Sequence, residues 1–431
     1  MFFDRPESGS RALLIHIQQH DTELATPEEL IELVRSAGLE PVGCISSSRR
    51  FPHPGTFIGG GKVDEIKAWL AESACELVIF GDDLSPTQER NLEQALDKRV
   101  LGRTGLILEI FARRARTHEG KLQVELAQLE HASSRLVRGW THLDRQRGGS
   151  GRSAGGAAGL GGAGETQLEA DQRMIGDRIK RIHGRLAKVR QQRAHNRRSR
   201  ARSDTRSISL AGYTNAGKST LFNQVCAAAV HAEDQLFATL DPTLRRLELP
   251  VVGEAVLADT VGFIRQLPHT LVDAFRATLE EVSQADLILH VVDAAAPLRD
   301  ERIHEVNAVL REIGAEDIPQ LMVYNKVDLL GETSRIERNR EGLPVKVWVS
   351  SLTGQGKDEL LSAITECLAS DVIETSIMLG PADGRIRAQL FELGAVIGET
   401  TCEDGSIEMR LKIEESSLRK ITQGRQAGLY G

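Results

Sequence analysis

Short apolar runs alternate with amphipathic helical patterns along the first hundred residues. In chain order, these segments are residues 13–17, 27–37, 42–45, 63–74 and 77–80. Ser85-Pro86 follows with the signature of a helix start, because Ser can cap free amides and Pro gives up a donor that would stay unpaired. This alternation predicts a small parallel α/β domain over residues 1–111.

Two narrow apolar stripes characterise residues 112–206. Their spacing of four and three residues predicts two helices, each with one apolar face. The stripes are Leu122, Leu126, Leu129, Ser133 and Leu136, then Ile175, Ile179, Ile182, Leu186 and Val189. Between them, nine of the seventeen residues 148–164 are glycine. We therefore expect an antiparallel helical hairpin with a glycine-rich tip, whose second helix, from about residue 166 to 195, extends roughly 45 Å.

Residues 207–370 again alternate between apolar runs and helical patterns, and residues 371–431 have a different pattern. Apolar runs lead into polar motifs repeatedly over residues 207–370, which predicts a second α/β domain. Residues 371–431 predict a small C-terminal α/β domain, to which we assign a docking role. Its helical pattern is Ile386, Leu390, Leu393 and Ala395, and its alternating strand is Ile407, Met409, Leu411 and Ile413. The predicted fold class is thus a multidomain α/β protein.

The composition is typical of a chain with several folded domains, and the distribution of charge indicates what kind of partner it binds. The chain has 431 residues, 40% apolar and 27% charged, with a net charge of −7. Lys and Arg outnumber Asp and Glu by 22 to 9 in residues 112–206, whereas acidic residues lead by 18 to 11 before this section and by 34 to 21 after it. A basic section between acidic ones points to a polyanionic partner, and we favour RNA.

Other features bound the cellular setting. The five cysteines lie far apart without a C-x-x-C pair, which argues against a disulfide framework and a zinc site. The first residues lack the pattern of a signal peptide, and no apolar run approaches the roughly 18 residues of a membrane span. We expect a cytoplasmic protein that acts as a monomer, and we leave open that partners hold a share of it at the membrane periphery.

A full phosphate-loop motif, G-x-x-x-x-G-K-S, occupies residues 212–219 between a predicted strand and helix. Its amides can cradle phosphates, Lys218 can reach the β and γ oxygens, and the Ser219 hydroxyl can bind Mg²⁺. Asp259, after another predicted strand, is placed to hold a magnesium-bound water. The amide of Gly262 can sense the γ-phosphate.

The first switch is expected over residues 236–243, between the phosphate loop and Asp259. A threonine hydroxyl there should complete the Mg²⁺ shell when GTP is bound, and we choose Thr239, with Thr243 as the rival. Asp328, in the N-K-x-D motif of residues 325–328, can accept both N1–H and the 2-amino group of guanine, so the motif selects GTP over ATP. The backbone of residues 350–352 should close over the base.

The candidate site follows from these motifs. Lys218, Thr239 and Gly262 are the predicted catalytic residues, and Ser219 and Thr239 the predicted metal ligands. The predicted nucleotide-binding residues are Gly212, Tyr213, Thr214, Asn215, Ala216, Gly217, Lys218, Ser219, Thr220, Phe237, Ala238, Thr239, Leu240, Asp241, Asp259, Thr260, Val261, Gly262, Asn325, Lys326, Val327, Asp328, Ser350, Ser351 and Leu352.

Three further glycine motifs carry less weight. Residues 59–62, G-G-G-K, imitate a phosphate loop, but Val63 stands where a magnesium-binding hydroxyl is needed, so a structural or RNA-contacting role is favoured over a second nucleotide site. G-x-S-x-G at 151–155 and G-x-G-x-x-G at 159–164 follow no predicted strand, which both functional motifs require. We reject those two.

The chain resembles the HflX family of translational GTPases, in the Obg-HflX superfamily. The resemblance rests on F-I-G-G-G-K, on G-L-G-G-x-G-E-T-Q-L-E in the hairpin, and on F-A-T-L-D and D-T-V-G-F in the GTPase core. It implies hydrolysis of GTP to GDP and phosphate, and binding to ribosomes, chiefly the large subunit, which stimulates the GTPase. It also implies a role in separating stalled or idle ribosomes under stress.

Two positions bear on the hydrolysis step. Phe263 stands where many GTPases carry the glutamine that orients the attacking water, so we expect slow intrinsic turnover until a partner orders the switches. Asn215 matches the loop asparagine that helps several such GTPases bind K⁺, which would add positive charge at the transition state. Potassium is therefore a candidate cofactor beside Mg²⁺.

Three functions remain in competition at this point. The first is a GTPase switch that binds the large ribosomal subunit and its rRNA through the basic hairpin. The second is a GTP-regulated protein adaptor, for a protease or membrane complex, in which the hairpin binds protein. The third is an RNA remodeller with a second, ATP-binding site in the N-terminal domain. Salt-sensitive RNA binding would favour the first and third over the second.

Overall fold

The computed structural model describes most of the chain. The described residues are 9–18, 27–48, 51–147, 163–202, 205–226, 236–237, 239–240, 242–250, 252–265, 276–369, 372–380, 383–402, 405–414, 418 and 421–422. Two predicted site residues, Ala238 and Asp241, lie outside these ranges, as does most of the predicted glycine-rich tip, residues 148–162.

The N-terminal part forms a parallel four-stranded sheet in the order β2-β1-β3-β4. Its elements are β1 (Arg11–Gln18), α1 (Pro27–Ser36), β2 (Glu40–Ser48), α2 (Gly60–Glu72), β3 (Leu77–Phe80), α3 (Pro86–Leu96), β4 (Arg99–Leu101) and α4 (Arg103–Arg114). The predicted parallel α/β fold is confirmed. Ser85 caps α3 as expected, and Gln88 completes a capping box with it.

Helix α2 begins three residues earlier than the apolar pattern indicated. The carbonyl of Gly59 accepts hydrogen bonds from the amides of Lys62 and Val63 at 3.0 and 3.1 Å, so the glycine-rich segment forms the first helical turn. The amine of Lys62 donates to the carboxylate of Glu65 at 2.9 Å. The imitation phosphate loop therefore sits on a helix, with its lysine engaged in an ion pair on the same helix.

Two long helices follow, α5 (His118–Arg147) and α6 (Ala163–Arg202). The predicted apolar stripes pack against each other in one buried cluster. Its members are Leu122, Leu126, Leu129, Ile175, Ile182 and Leu186. Helix α6 is longer than expected: its 40 residues span about 60 Å. Residues 197–202 also belong to this helix, because Arg and Ala favour helix even without an apolar face.

The part that follows α6 forms a seven-stranded sheet in the order β10-β11-β9-β8-β5-β7-β6, parallel except for its two edge strands. Its elements are β5 (Arg206–Gly212), α7 (Lys218–Cys226), β6 (Thr243–Leu249), β7 (Gly253–Asp259), α8 (Arg276–Ser283), β8 (Leu287–Asp293), α9 (Arg299–Glu312), β9 (Gln320–Asn325), a short 3₁₀ helix (Val327–Leu330), β10 (Arg335–Arg338), β11 (Pro344–Trp348) and α10 (Lys357–Ala369). The carboxyl ends of the parallel strands share one edge, where ligands of such sheets bind.

The C-terminal part is an antiparallel sheet in the order β12-β14-β13 beside one helix. Its elements are β12 (Val372–Leu379), α11 (Gly384–Glu392), β13 (Val396–Thr401) and β14 (Ile407–Glu414). The expectation that Leu393 lies on the apolar helical face is wrong. Gly394 adopts a left-handed conformation, and the amide of Ala395 bonds the carbonyl of Leu390, so a Schellman motif ends the helix and leaves Leu393 50% exposed.

No helix within the described ranges combines the length and apolar character that crossing a bilayer would require.

Candidate nucleotide site

The phosphate loop connects β5 to α7 and closes around the amine of Lys218. A Cβ on Gly212 would lie 2.2 Å from the carbonyl oxygen of Val291, so only glycine fits where the loop crosses β8. Lys218 is buried, and its Nζ donates to the carbonyls of Gly212 and Tyr213 at 3.0 and 2.8 Å. Burial lowers the pKa of Lys218 to about 8, while the charge of Asp259 acts in the opposite direction. Phosphate oxygens would stabilise this charged amine better than neutral carbonyls do.

Three oxygens meet at the start of α7. The Ser219 hydroxyl lies 2.7 Å from both the Thr239 hydroxyl and Asp259 Oδ2, and the Thr239 hydroxyl donates to the same Oδ2 at 2.8 Å. Asp259 is fully buried, its Oδ1 finds no hydrogen-bond partner among the residues that the structure describes, and burial raises its pKa. Hydroxyl and carboxylate oxygens are the ligand type that Mg²⁺ prefers, and an unpaired buried carboxylate oxygen suits a site completed by a cation. The residues present therefore fit a magnesium ion.

The rival switch residue has a different position. Thr243 is the first residue of β6, where it lies opposite Asp259 in the antiparallel pairing of β6 with β7. Hydroxyl contacts to Ser219 and Asp259 come from Thr239.

The segment after Asp259 runs along the phosphate loop. The amide of Thr214 donates to the carbonyl of Phe263 at 2.7 Å, and the amide of Phe263 donates to the carbonyl of Gly212 at 3.1 Å. A Cβ on Gly262 would lie 2.9 Å from Nζ of Lys218, so a side chain there would disturb the lysine. Phe263 is 1% exposed and packs into the core, so its ring does not face the nucleotide site.

The base-recognition motif, residues 325–328, is hydrogen-bonded to the phosphate loop. Asn325 Nδ2 donates to the carbonyl of Ala216 at 2.9 Å, and Asn325 Oδ1 accepts from the amide of Ser351 at 2.9 Å. The Ser350 hydroxyl donates to Asp328 Oδ1 at 2.5 Å. One asparagine thus connects three loops, and the serine orients the carboxylate that would read guanine.

These loops surround one cavity of about 440 Å³, within the usual size range of ligand pockets. Its lining residues are Thr214, Asn215, Gly217, Lys218, Ser219, Thr220, Phe237, Thr239, Thr260, Gly262, Asn325, Lys326, Asp328, Leu329, Ser351 and Leu352. Other predicted site residues lie behind this lining: Gly212, Tyr213, Ala216, Leu240, Asp259, Val261, Val327 and Ser350.

Sequence reasoning missed two residues of this region. Asp293 Oδ2 forms an ion pair with Nζ of Lys326 at 2.8 Å, which holds the lysine of the base motif in place. Leu329 lines the cavity and is 67% exposed. A signal for Asp293 existed, since it ends β8 at the same sheet edge as the other motifs.

A buried polar cluster joins the phosphate loop to the N-terminal domain. The Tyr213 hydroxyl accepts a hydrogen bond from the amide of Arg265 at 3.0 Å and donates to Glu29 of α1 at 3.4 Å. Glu29 also forms an ion pair with Arg103 of α4. Burial, and secondarily the charge of Glu29, raises the pKa of Tyr213 above its usual range. Glu305 of α9 lies beside this cluster, and burial raises its pKa to about 7.

We expect Glu305 to make the free energy of unfolding depend on pH near neutrality. Burial raises its pKa most; Glu29 adds to this, whereas Arg265, Arg103 and Arg302 oppose it. Because the folded protein keeps a proton that the unfolded chain releases, the free energy of unfolding should fall as pH rises from about 4.5 to about 7. Glu305→Gln should flatten this decrease and exceed the wild type in stability above pH 7. Urea titrations at several pH values measure both effects.

The exposed Glu301 of the same helix provides the control for this measurement. Glu301→Gln should leave the pH dependence of stability as in the wild type. A wild-type free energy of unfolding that stays level between pH 5 and 7 would contradict the assignment of the proton to Glu305.

Comparison with known proteins identifies the family. Four protein-family models match: "GTP-binding GTPase N-terminal" at residues 25–112, "GTP-binding GTPase Middle Region" at 114–200, "50S ribosome-binding GTPase" at 207–326 and "HflX C-terminal domain" at 336–428. The chain is 50% identical to "GTPase HflX" of Escherichia coli (strain K12), over 99% of this chain and 98% of that one. The chain belongs to the HflX family of GTPases.

A second HflX protein agrees with this result. The "GTPase HflX" of Magnetococcus marinus is 45% identical over 88% of this chain and 85% of its own length. A solved structure described as "crystal structure of SsGBP and GDP complex" covers 84% of this chain and 99% of its own, with 24% identity and a TM-score of 0.46. Membership of the HflX family makes the chain a GTP-binding, GTP-hydrolysing protein with a P-loop GTPase domain.

Proposed function

We propose that this GTPase binds the large ribosomal subunit in its GTP form, promotes separation of stalled or idle ribosomes under stress, and leaves after hydrolysis. The observation that carries the proposal is a basic face on α6, in a family whose GTPase model is described as 50S ribosome-binding. Arg173, Lys180, Arg181 and Lys188 are exposed along this helix. Such a face suits the phosphates of rRNA.

Within the nucleotide site, each group has a proposed task. Lys218 neutralises charge on the β and γ phosphates, and the Gly262 amide donates to a γ-phosphate oxygen. Ser219 and Thr239 would ligate Mg²⁺, and Asp259 would accept from its water; the ion would offset negative charge between the phosphates. Asp328 accepts two hydrogen bonds from guanine, which excludes adenine.

The buried position of Phe263 supports slow hydrolysis by the free protein. The phenyl ring can neither donate nor accept a hydrogen bond to the attacking water, so a partner must supply or order the group that orients it. Asn215 lines the cavity in a left-handed conformation, and we propose that it contributes to a K⁺ site beside the phosphates. Potassium would supply positive charge at the transition state.

We propose four domains, residues 1–111, 112–206, 207–370 and 371–431. The separate sheets and the break between α6 and β5 support this division. We also propose that the protein is cytoplasmic, where a ribosome-bound role would place it, and that it acts as a monomer.

Sedimentation with separated ribosomal subunits tests the proposed function. We expect co-sedimentation with large subunits in the presence of a non-hydrolysable GTP analogue and its loss with GDP. GTP turnover should rise when large subunits are added, and in K⁺ buffer it should exceed turnover in Na⁺ buffer of equal ionic strength.

Each arm has an outcome that contradicts one part of the proposal. Binding that is indifferent to the nucleotide, or turnover that is indifferent to the large subunit, would rule out the ribosome switch. Equal rates of GTP turnover in K⁺ and Na⁺ buffers would rule out the proposed K⁺ site and leave the rest of the proposal standing.

A further inference from the structure

Side chains from four elements stack on one face of the GTPase sheet. Tyr324 of β9 and Trp348 of β11 lie with ring centroids 5.0 Å apart and an interplanar angle of 14°. The guanidinium carbon of Arg335, on β10, lies 3.9 Å from the ring centroid of Trp348. That of Arg299, the first residue of α9, lies 5.5 Å from the ring centroid of Tyr324. We call these four residues the aromatic stack; ring stacking and cation–π contacts hold their elements together.

Both rings stand immediately before the loops that are placed to hold the base. Tyr324 precedes Asn325, the first residue of the base-recognition motif, and Trp348 ends β11 shortly before residues 350–352. The amide of Val349 donates to the carbonyl of Tyr324 at 2.8 Å, so the two strands remain paired up to the point where the loops begin. The aromatic stack therefore fixes the start of one loop against the start of the other.

The loop after β11 folds back onto the same strand. The amide of Ser350 donates to the carbonyl of Gln355 at 2.9 Å, and the amide of Gly354 donates to the carbonyl of Ser350 at 3.0 Å. A Cβ on Gly356, whose φ is 83°, would lie 2.7 Å from the carbonyl oxygen of Trp348. The position of Trp348 therefore determines where this loop lies.

Arg335 connects the indole back to the base-recognition motif. Its guanidinium forms an ion pair with Glu332 at 2.7 Å. The amide of Glu332 donates to the carbonyl of Val327 at 3.2 Å, and its carbonyl accepts from Gln355 Nε2, also at 3.2 Å. Because the side chain of Arg335 is 48% exposed, its ion pair adds little by itself, and its contact with the indole carries more weight. Contacts thus surround both loops that would hold the base.

The indole of Trp348 has no open face. Strand β11 lies between β10 and β9, so the ring meets Arg335 on one side and Tyr324 on the other. A nucleobase of RNA would need an open aromatic face on which to stack. The arrangement therefore favours an internal role for Trp348 over a contact with RNA.

We propose that the aromatic stack positions the two base-binding loops and thereby sets the rate at which the protein releases guanine nucleotides. The inference rests on the proposed contact of Asp328 with guanine. Among the described residues that line the cavity, none belongs to the aromatic stack, so the stack acts through the loops and its members are positioning residues. GTP and GDP carry the same base, and loosening these loops therefore accelerates the release of both alike.

Trp348→Leu in the full chain tests this role. The variant keeps an apolar side chain but loses the contacts with Tyr324 and Arg335. We expect the dissociation rates of a non-hydrolysable GTP analogue and of GDP each to rise about tenfold, with their ratio unchanged. The KM for GTP should also rise about tenfold, whereas kcat at saturating GTP should change by less than about twofold. Stopped-flow release of fluorescent guanine nucleotides and steady-state turnover give these values.

Two further variants grade the effect. Trp348→Phe restores an aromatic ring beside Tyr324, so release should return to within about threefold of the wild type. Arg335→Lys keeps a charge for Glu332 but loses the planar guanidinium, and it should accelerate release by a smaller factor than Trp348→Leu. Trp69→Leu is the matched control: Trp69 is half-buried in the N-terminal domain, and its variant should release nucleotides like the wild type.

Unchanged release in both Trp348→Leu and Arg335→Lys would overturn the proposal, and so would acceleration of one nucleotide alone or equal acceleration in Trp69→Leu. A fall in kcat with an unchanged KM would indicate loss of folded protein and would also contradict it. If Trp348→Leu yields no folded protein, Arg335→Lys decides the question. These measurements contain no ribosomes and keep Asp328 intact. Their failure is therefore distinguishable from failure of ribosome binding, which sedimentation reports, and of base reading, which substitution of Asp328 reports.

Discussion

Asp328→Asn should lower the affinity for GTP by about 10⁴-fold and admit xanthosine triphosphate in its place. The carboxylate can accept N1–H and the 2-amino group of guanine together. An amide can accept one of these hydrogen bonds, but its own NH₂ then faces the 2-amino group, donor against donor. Xanthine keeps N1–H and carries a carbonyl oxygen at C2, so the amide satisfies both positions. The change therefore reverses base preference while the phosphate contacts stay intact.

The hydrogen bonds around Asp328 indicate that the substitution changes base recognition without disturbing the neighbouring loop. Ser350 donates to Oδ1, and Asn325 and Ser351 fix the adjoining loop independently of the carboxylate. Competition of each triphosphate against a fluorescent guanine nucleotide measures the change. Asp317→Asn, the same substitution at an exposed loop position, is the matched control and should bind GTP like the wild type. Retained GTP preference in Asp328→Asn would show that another group reads the base.

The order of motifs along the chain anticipated much of this arrangement. Each motif follows an apolar run, so parallel strands were expected to bring residues 212–219, 259–263 and 325–328 to one sheet edge. The structure does bring residues of all three motifs around one cavity. The spacing of the helical stripes likewise predicted which residues of α5 and α6 pack together. Hydrophobic periodicity and the position of strand ends are enough to predict which residues come together when those residues lie on helices or at the ends of strands.

Other features depended on long-range contacts that periodicity does not encode. Phe237, whose backbone is left-handed, contacts the ring of Phe111, and the amide of its neighbour Leu236 donates to Ser36, both more than a hundred residues earlier in the chain. The position of Lys326 depends on Asp293, which belongs to no motif that we recognised. Leu393 was misplaced because Gly394, a common helix terminator, outweighs an apolar spacing that continues past it.

Reversing basic residues of α6 should abolish ribosome binding while leaving GTP affinity intact. Lys180, Arg181 and Lys188 are exposed and paired with no carboxylate across the described part of the helical pair, whereas Arg178 is engaged by Glu125. Changing the three to Glu would turn attraction for rRNA phosphates into repulsion. Affinity for large subunits should fall by at least about 10²-fold, and the residual binding should depend less on salt.

A control variant with the same change in net charge on another surface shows whether the α6 residues contact the ribosome directly or act only through overall charge. Arg245, Arg246 and Arg311 are exposed on the GTPase part, and changing them to Glu alters the net charge equally. Sedimentation with large subunits at two salt concentrations should show binding by this control and none by the α6 variant, with GTP affinity unchanged in both. Equal loss in the two variants would mean that overall charge governs attachment. Unimpaired binding of the α6 variant would mean that the ribosome contacts another surface.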